Sequence, residues 1–212
     1  MELFLGLIFA MVVNRPTPIR GFLRVSLIIP WAMPAAVSGR VWELIYNYSF
    51  GLANFAIISA GIADRPVNWL GSKWGAFFAI VAADVWKTTP FVAIILLAGL
   101  QAIPDELYQQ AEVDSASLFR RFTTITLPLL RPALTVGLLF RTIDALRIFD
   151  TVYVITGGGP GGSTSSLSLY AYRYFLAGDF GYGSAISVLL FIIALSLSAV
   201  YLKVGRFREV LS

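Results

Sequence analysis

The sequence predicts an all-α protein, a polytopic bundle of transmembrane helices with one helical element held outside the bilayer. Three observations predict it. Of 212 residues, 58% are hydrophobic and only 13% charged, whereas soluble domains are roughly 45–50% apolar and about one quarter charged. The mean hydropathy is accordingly +0.77. No charged residue occurs between Phe180 and Leu202, a stretch longer than the ~20 residues an apolar helix needs to span a bilayer. Finally, residues 101–128 interrupt the apolar pattern with a polar stretch that keeps helical periodicity.

Within one transmembrane domain, 1–212, five hydrophobic segments are expected: Leu3–Val13, Leu23–Tyr46, Trp74–Leu100, Leu129–Thr156 and Phe180–Val204. The first is too short for a hydrocarbon core of ~30 Å at ~1.5 Å per residue. It has neither a basic n-region nor a cleavage site before Asn14-Arg15-Pro16, which argues against a signal peptide and for a helix whose beginning is absent. Pro30 and Pro34 in the second segment and Pro90 in the third remove helical hydrogen bonds. Membrane helices tolerate such gaps only where neighbours or water resatisfy the backbone.

Orientation follows from the basic residues. Arg15, Arg20, Arg24, Arg120, Arg121, Arg131, Lys203, Arg206 and Arg208 occupy one set of loops and ends, against Arg65, Lys73 and Arg173 in the other. The positive-inside bias puts the larger set, residues 101–128 and the C-terminus in the cytoplasm. Trp42, Tyr46, Tyr48, Trp69 and Trp74 then flank the outer face, as interfacial aromatics do.

Composition also narrows the chemistry. Cysteine and histidine are both absent, which removes disulfides, thiol nucleophiles, imidazole bases and the commonest transition-metal ligands. No metal site and no catalytic residue is expected, since Asp84, Asp144 and Asp150 lack a recognisable nucleophile or base partner. The net charge of +4 is spread over the ends of apolar runs, so nucleic acid is not an expected partner. The glycine run Gly157–Gly162 is followed by Ser163-Thr164 without lysine, so it is read as a flexible external loop rather than a phosphate loop.

The polar stretch carries the functional signal. Asp105 and Glu106 after Pro104 suit the positive end of a helix. Leu107, Ala111, Asp114 and Leu118 fall on one helical stripe, and Ser115 or Ser117 can cap a second short helix bearing Leu118, Phe119 and Phe122. A helix–turn–helix flat against the membrane can anchor a loop or dock a partner.

The run AGLQAIPDELYQQAEVDSAS followed by ITLPLLRP resembles the signature loop of bacterial binding-protein-dependent ABC permeases, whose form is close to E-A-A-x-x-D-G-A and then I-x-L-P. Ala111, Asp114, Ala116, Ile125, Leu127 and Pro128 match; Gln110, Glu112 and Ser115 depart from Glu, Ala and Gly. A non-glycine residue held left-handed costs about 1–2 kcal/mol, so the turn at Ser115 is either strained or differently shaped. DVWKTTPF, LLFRTIDALRIFD and VITGGGPGGST resemble the maltose-type, carbohydrate-importing branch, and the likeness spans nearly the whole chain. Full-length members carry further N-terminal sequence, so this chain looks shortened there.

The resemblance implies the ABC importer permease fold in the bacterial cytoplasmic (inner) membrane. It implies that residues 104–122 act as a coupling helix in a groove of a separate ATPase, with Leu107, Gln110, Ala111, Asp114, Ser115 and Ala116 as the coupling residues. ATP and Mg would sit on the ATPase subunits, with no cofactor bound by this chain. A second permease subunit and an extracytoplasmic solute-binding protein complete the expected assembly, and a sugar or sugar derivative is the expected solute. An ion-coupled secondary transporter is the alternative; it predicts inverted repeats and unpaired intramembrane carboxylates, and neither is visible.

Ionisable residues inside apolar segments cost at least about 2.5–3.5 kcal/mol each at mid-membrane, so they are expected to pair or to face water. Arg40/Glu43 and Asp84/Lys87 are i, i+3 pairs. Arg141, Asp144, Arg147 and Asp150 form a ladder of alternating sign. Asp84, Lys87, Arg141 and Asp144 are the candidates for the translocation path, against a purely structural pairing; Trp86, Phe91 and Phe140 offer stacking faces, against plain packing.

Overall fold

A computed structural model describes residues 1–204; Arg206 and Arg208, used in the orientation argument, lie outside the described residues. Every described element is helical. In chain order the α-helices are α1 (Glu2–Asn14), α2 (Arg20–Ala32), α3 (Ala35–Ile45), α4 (Leu52–Ser59), α5 (Lys73–Gln101), α6 (Asp105–Val113), α7 (Leu118–Arg121), α8 (Leu127–Leu146), α9 (Asp150–Thr156), α10 (Leu167–Leu176) and α11 (Phe180–Val204), with a short 3-10 turn at Trp69–Gly71. A π-helical turn, Phe122–Thr126, joins α7 to α8. Three stretches are long and apolar enough to cross a membrane: Lys73–Gln101, Leu118–Leu146 and Phe180–Lys203. The pair α2 and α3 makes a fourth if counted as one bent span. Helix α1, with 13 residues, falls short.

Two segments differ from the sequence expectation. Leu23–Tyr46 is not one helix, because α2 and α3 meet at an angle of 91°. Pro34 cannot donate a helical hydrogen bond and drives the preceding Met33 out of the α region. The fourth segment, read as Leu129–Thr156, is displaced: the helix starts at Leu118 and α8 stops at Leu146. Phe149, with φ −132° and ψ −64°, breaks the chain before α9, and Asp150 then sits at the favourable positive end of the new helix.

The chain divides into two compact units. One comprises Met1–Trp31, Thr88–Ile143 and the chain from Leu195 on; the other comprises Ala32–Lys87 and Asp144–Ala194. The first unit is built on a core of Ala10, Val13, Val92, Leu96, Leu97, Leu100, Ile103 and Leu130. Close helix approach makes that core possible. A Cβ at Gly99 would lie 2.5 Å from the Cβ of Ala133, so α5 and α8 touch only because one of them is bare there, as membrane helices pack through small residues.

In the second unit α3 packs on α9, where a Cβ at Gly39 would stand 3.0 Å from Val154 Cβ. Ile80, Ala83, Val152, Ile155 and Leu169 form its core, bordered by Trp42, Phe149 and Tyr172. Residues 47–72 are organised by Asn54, which is buried. Its Nδ2 donates to the carbonyls of Tyr48 (3.0 Å) and Val67 (3.1 Å). Its Oδ1 accepts from the Val67 amide (3.0 Å) and from Trp69 Nε1 (2.9 Å). Every hydrogen-bonding site of the amide is used.

The glycine run folds into a hydrogen-bonded turn. Gly157, Gly158, Gly161 and Gly162 all have positive φ. The Thr164 amide donates to the Gly158 carbonyl at 3.2 Å, and Arg173 donates to the carbonyl of Gly157.

Candidate functional site

The polar stretch folds into a helical hairpin whose turn can be accounted for atom by atom. Pro104, with no N–H to leave unsatisfied, occupies the N-cap of α6, and Asp105 and Glu106 sit in the first turn, where the helix dipole favours negative charge. At the other end Ser115 has φ +53° and is the one non-glycine residue with positive φ among the described residues. Its amide donates to the Glu112 carbonyl at 3.0 Å, and the Ala116 amide reaches back to the Ala111 carbonyl at 2.9 Å. These paired bonds form a Schellman cap, which calls for a left-handed residue at the Ser115 position. The turn is therefore the strained alternative of the two the sequence allowed.

A second helix follows at once. Ser117 Oγ accepts from the Arg120 amide at 3.3 Å and caps α7. Arg121 closes the hairpin: its Nε donates to the Ala116 carbonyl at 2.8 Å, and its Nη1 lies 3.8 Å from Glu112 Oε1. The stripe expected through Leu118 does not exist. Helix α6 ends at Val113, and the reversal at Ser115 carries Leu118 to a surface where it is 82% exposed.

The hairpin is seated on the core of the first unit by Leu107, Tyr108 and Ile125, and the Tyr108 hydroxyl pairs with Thr126 Oγ1 at 2.9 Å. Between α6 and α7 opens a groove of about 600 Å³ lined by Leu107, Gln110, Ala111, Asp114, Ala116, Arg120, Arg121, Thr124 and Ile125. Leu107, Gln110, Ala111, Asp114 and Ala116, all candidates from sequence, line it together; Ser115 forms the turn instead. Beside the groove Val113, Leu118 and Phe119 are 85%, 82% and 76% exposed, a concentration of bare apolar surface that the sequence motif does not include.

The charged residues of the apolar segments include a partner that the predicted ladder did not. Arg40 and Glu43 do pair, at 2.6 Å, and Arg147 pairs with Asp144 at 3.2 Å. Arg141 also reaches Glu2: its Nη2 donates to Oε1 at 2.9 Å and its Nε to Oε2. Asp150 starts a separate helix, so the four residues share no continuous helical face. Lys87 donates to the Met33 carbonyl at 2.6 Å. Glu2 carried no signal in sequence, because partners 139 residues apart leave no periodic trace.

Aromatic rings cluster within each unit. Phe91 stacks on Trp31 (5.8 Å) and meets Phe140 edge-on (6.0 Å), while Trp86 meets Trp42 at 5.9 Å. These rings pack on one another, and Trp31, Trp86 and Phe140 keep exposed surface. On α10, a hydrogen bond in which the Tyr174 hydroxyl donates to that of Tyr170 raises Tyr174 above its ordinary pKa of 10.0. Among the described residues no cluster of metal-ligating side chains occurs.

The described residues thus form a helical membrane protein with a grooved hairpin seated on the core of its first unit. The chain belongs to the family of binding-protein-dependent transport system inner membrane components, whose model matches residues 2–206. It is 59% identical over 209 residues to the trehalose/maltose transport system permease protein MalF of Thermococcus litoralis, covering 99% of this chain and 70% of that protein. It is 42% identical over 208 residues to the sulfoquinovosyl glycerol transport system permease protein SmoG of Agrobacterium fabrum, covering 98% and 67%. The chain thus spans about two thirds of the length of these relatives. Its fold is that of an ABC importer permease: a bacterial ABC transporter involved in the import of the acidic polysaccharide alginate superposes with a TM-score of 0.84 at 22% identity, covering 95% of this chain and 71% of that one.

Proposed function

We propose that this chain is a permease subunit of an ATP-driven sugar importer and that the Asp105–Arg121 hairpin is the part moved by the ATPase. One observation carries the reading: the hairpin packs on the core of the first unit through Leu107, Tyr108 and Ile125 while its outer rim of Val113, Leu118 and Phe119 stays bare. Displacement of that rim by a partner is transmitted into α5 and α8 with little slack, because close-packed interiors do not deform continuously.

The hairpin then faces the cytoplasm, and so does the C-terminus. ATP and Mg bind the partner ATPase, and this chain has no nucleotide site of its own. A second permease subunit completes the pathway, and a solute-binding protein delivers the solute from outside. The relatives named for trehalose/maltose and for sulfoquinovosyl glycerol support a sugar or sugar derivative, with a glucose disaccharide as the first to try.

The test is reconstitution with the partner ATPase, second permease and binding protein in liposomes. Uptake of trehalose or maltose should require ATP, and the Ala111→Arg variant, which fills the groove, should lose the ATPase on copurification. Uptake driven by an ion gradient without nucleotide would overturn the reading in favour of secondary transport.

A further inference from the structure

The bent span formed by α2 and α3 poses a backbone problem. Pro34 supplies no N–H, and the last turn of α2 has no helical donors beyond the break. In apolar surroundings a carbonyl left this way needs another donor. At Met33 the donor is Lys87 Nζ on α5, 2.6 Å from the carbonyl oxygen. A bond from an ammonium is charge-assisted, so it is shorter and stronger than one between neutral groups.

The place on α5 from which Lys87 reaches is itself weakened. Pro90 lies within α5 and withdraws the N–H that would bond the Trp86 carbonyl one turn back. Trp86 meets Trp42 of α3 edge-on at 5.9 Å. Two adjacent residues beside a proline on α5 thus hold both the break and the helix that follows it.

We propose that Lys87 is a positioning residue of the transport cycle: its ammonium pins the Met33 carbonyl, at the entry to α3, to α5, holding α3 against α5 and linking its movement to the cycle. Lys87 was a candidate lining residue in sequence; its contact with Met33 adds an action on backbone. One charge-assisted bond is strong enough to bias the position of α3 and weak enough to be exchanged in each turnover. The acceptor is a main-chain carbonyl, so nothing in the residue type at position 33 announces it. This inference rests on the importer reading above.

The experiment compares Lys87→Met, similar in length but without a donor, with Lys87→Arg in the complete reconstituted complex. The readout is solute taken up per ATP hydrolysed. Lys87→Met should lower that ratio about tenfold, the scale of one hydrogen bond to a charged group, and Lys87→Arg should restore most of it. A second readout uses the absence of cysteine from the chain. Spin labels on cysteines introduced at Val41 and Phe78, both exposed, should give one narrow distance between α3 and α5, broadened by Lys87→Met and narrow again in Lys87→Arg. An unchanged ratio with an unchanged distance in Lys87→Met overturns the pin. If Lys87→Met does not assemble, Lys87→Gln, whose amide is too short to reach the carbonyl, is judged by the same two outcomes. A wild-type complex that hydrolyses ATP without taking up solute overturns the importer reading itself, which separates the two failures.

Discussion

Arg141 holds the Glu2 carboxylate through two donors, from Nε and Nη2, and thereby ties α1 to α8. Both side chains are nearly buried, at 13% and 10% exposed. Breaking a buried pair by removing one partner leaves a desolvated charge and costs about 3–5 kcal/mol. Glu2→Gln and Arg141→Met are each expected to lower the thermal unfolding midpoint of the purified protein markedly. The double variant Glu2→Met/Arg141→Met should recover most of that loss, because an apolar pair has no charge to desolvate. A double variant no better than the singles would show that the pair acts through something other than charge.

Ser115 presents the opposite case, a residue whose removal should help. Relief of its left-handed backbone by Ser115→Gly is expected to stabilise the protein by about 1 kcal/mol, with ATPase copurification unchanged. Ser115→Val should destabilise it, since β-branched residues fare worst at positive φ. Thermal melts of the two variants check both signs.

Asn54 fills four hydrogen bonds with one amide. Asn54→Ala strands buried backbone groups and is expected to cost about 3 kcal/mol, felt first between residues 47 and 72. Limited proteolysis should then cut that segment in the variant well before it cuts the wild type.

Phe119 lies 76% exposed at the rim of the groove. Phe119→Glu should leave the melting midpoint almost unmoved, within about 0.5 kcal/mol. Copurified ATPase should nevertheless fall at least about tenfold, as for an aromatic anchor at an interface. A variant that retains the ATPase would shift the contact to the groove residues.

The helices and the hairpin were largely legible because both are written locally. A run such as Phe180–Leu202 needs no partner to be read, and Pro104, Asp105 and Ser117 mark helix starts by rules of a few residues. What stayed hidden was written at a distance or in the backbone. Glu2 finds Arg141 only once α1 and α8 are packed. Lys87 finds a carbonyl, which has no letter of its own. Leu118 was misplaced by assuming that periodicity runs through Ser115, where one left-handed residue reverses the chain. Asn54 did leave a trace, as the sole polar residue within LANFAII, but propensity alone does not say that such an amide is saturated.

Helix α11 has none of the apolar window that qualifies it as a span buried within its own chain. Its sequence chooses an environment rather than a neighbour, so what surrounds it during purification decides how it is held. Detergent chain length and retained lipid are therefore expected to move the measured robustness of this subunit as much as the single substitutions above, and every comparison between variants belongs in one amphiphile.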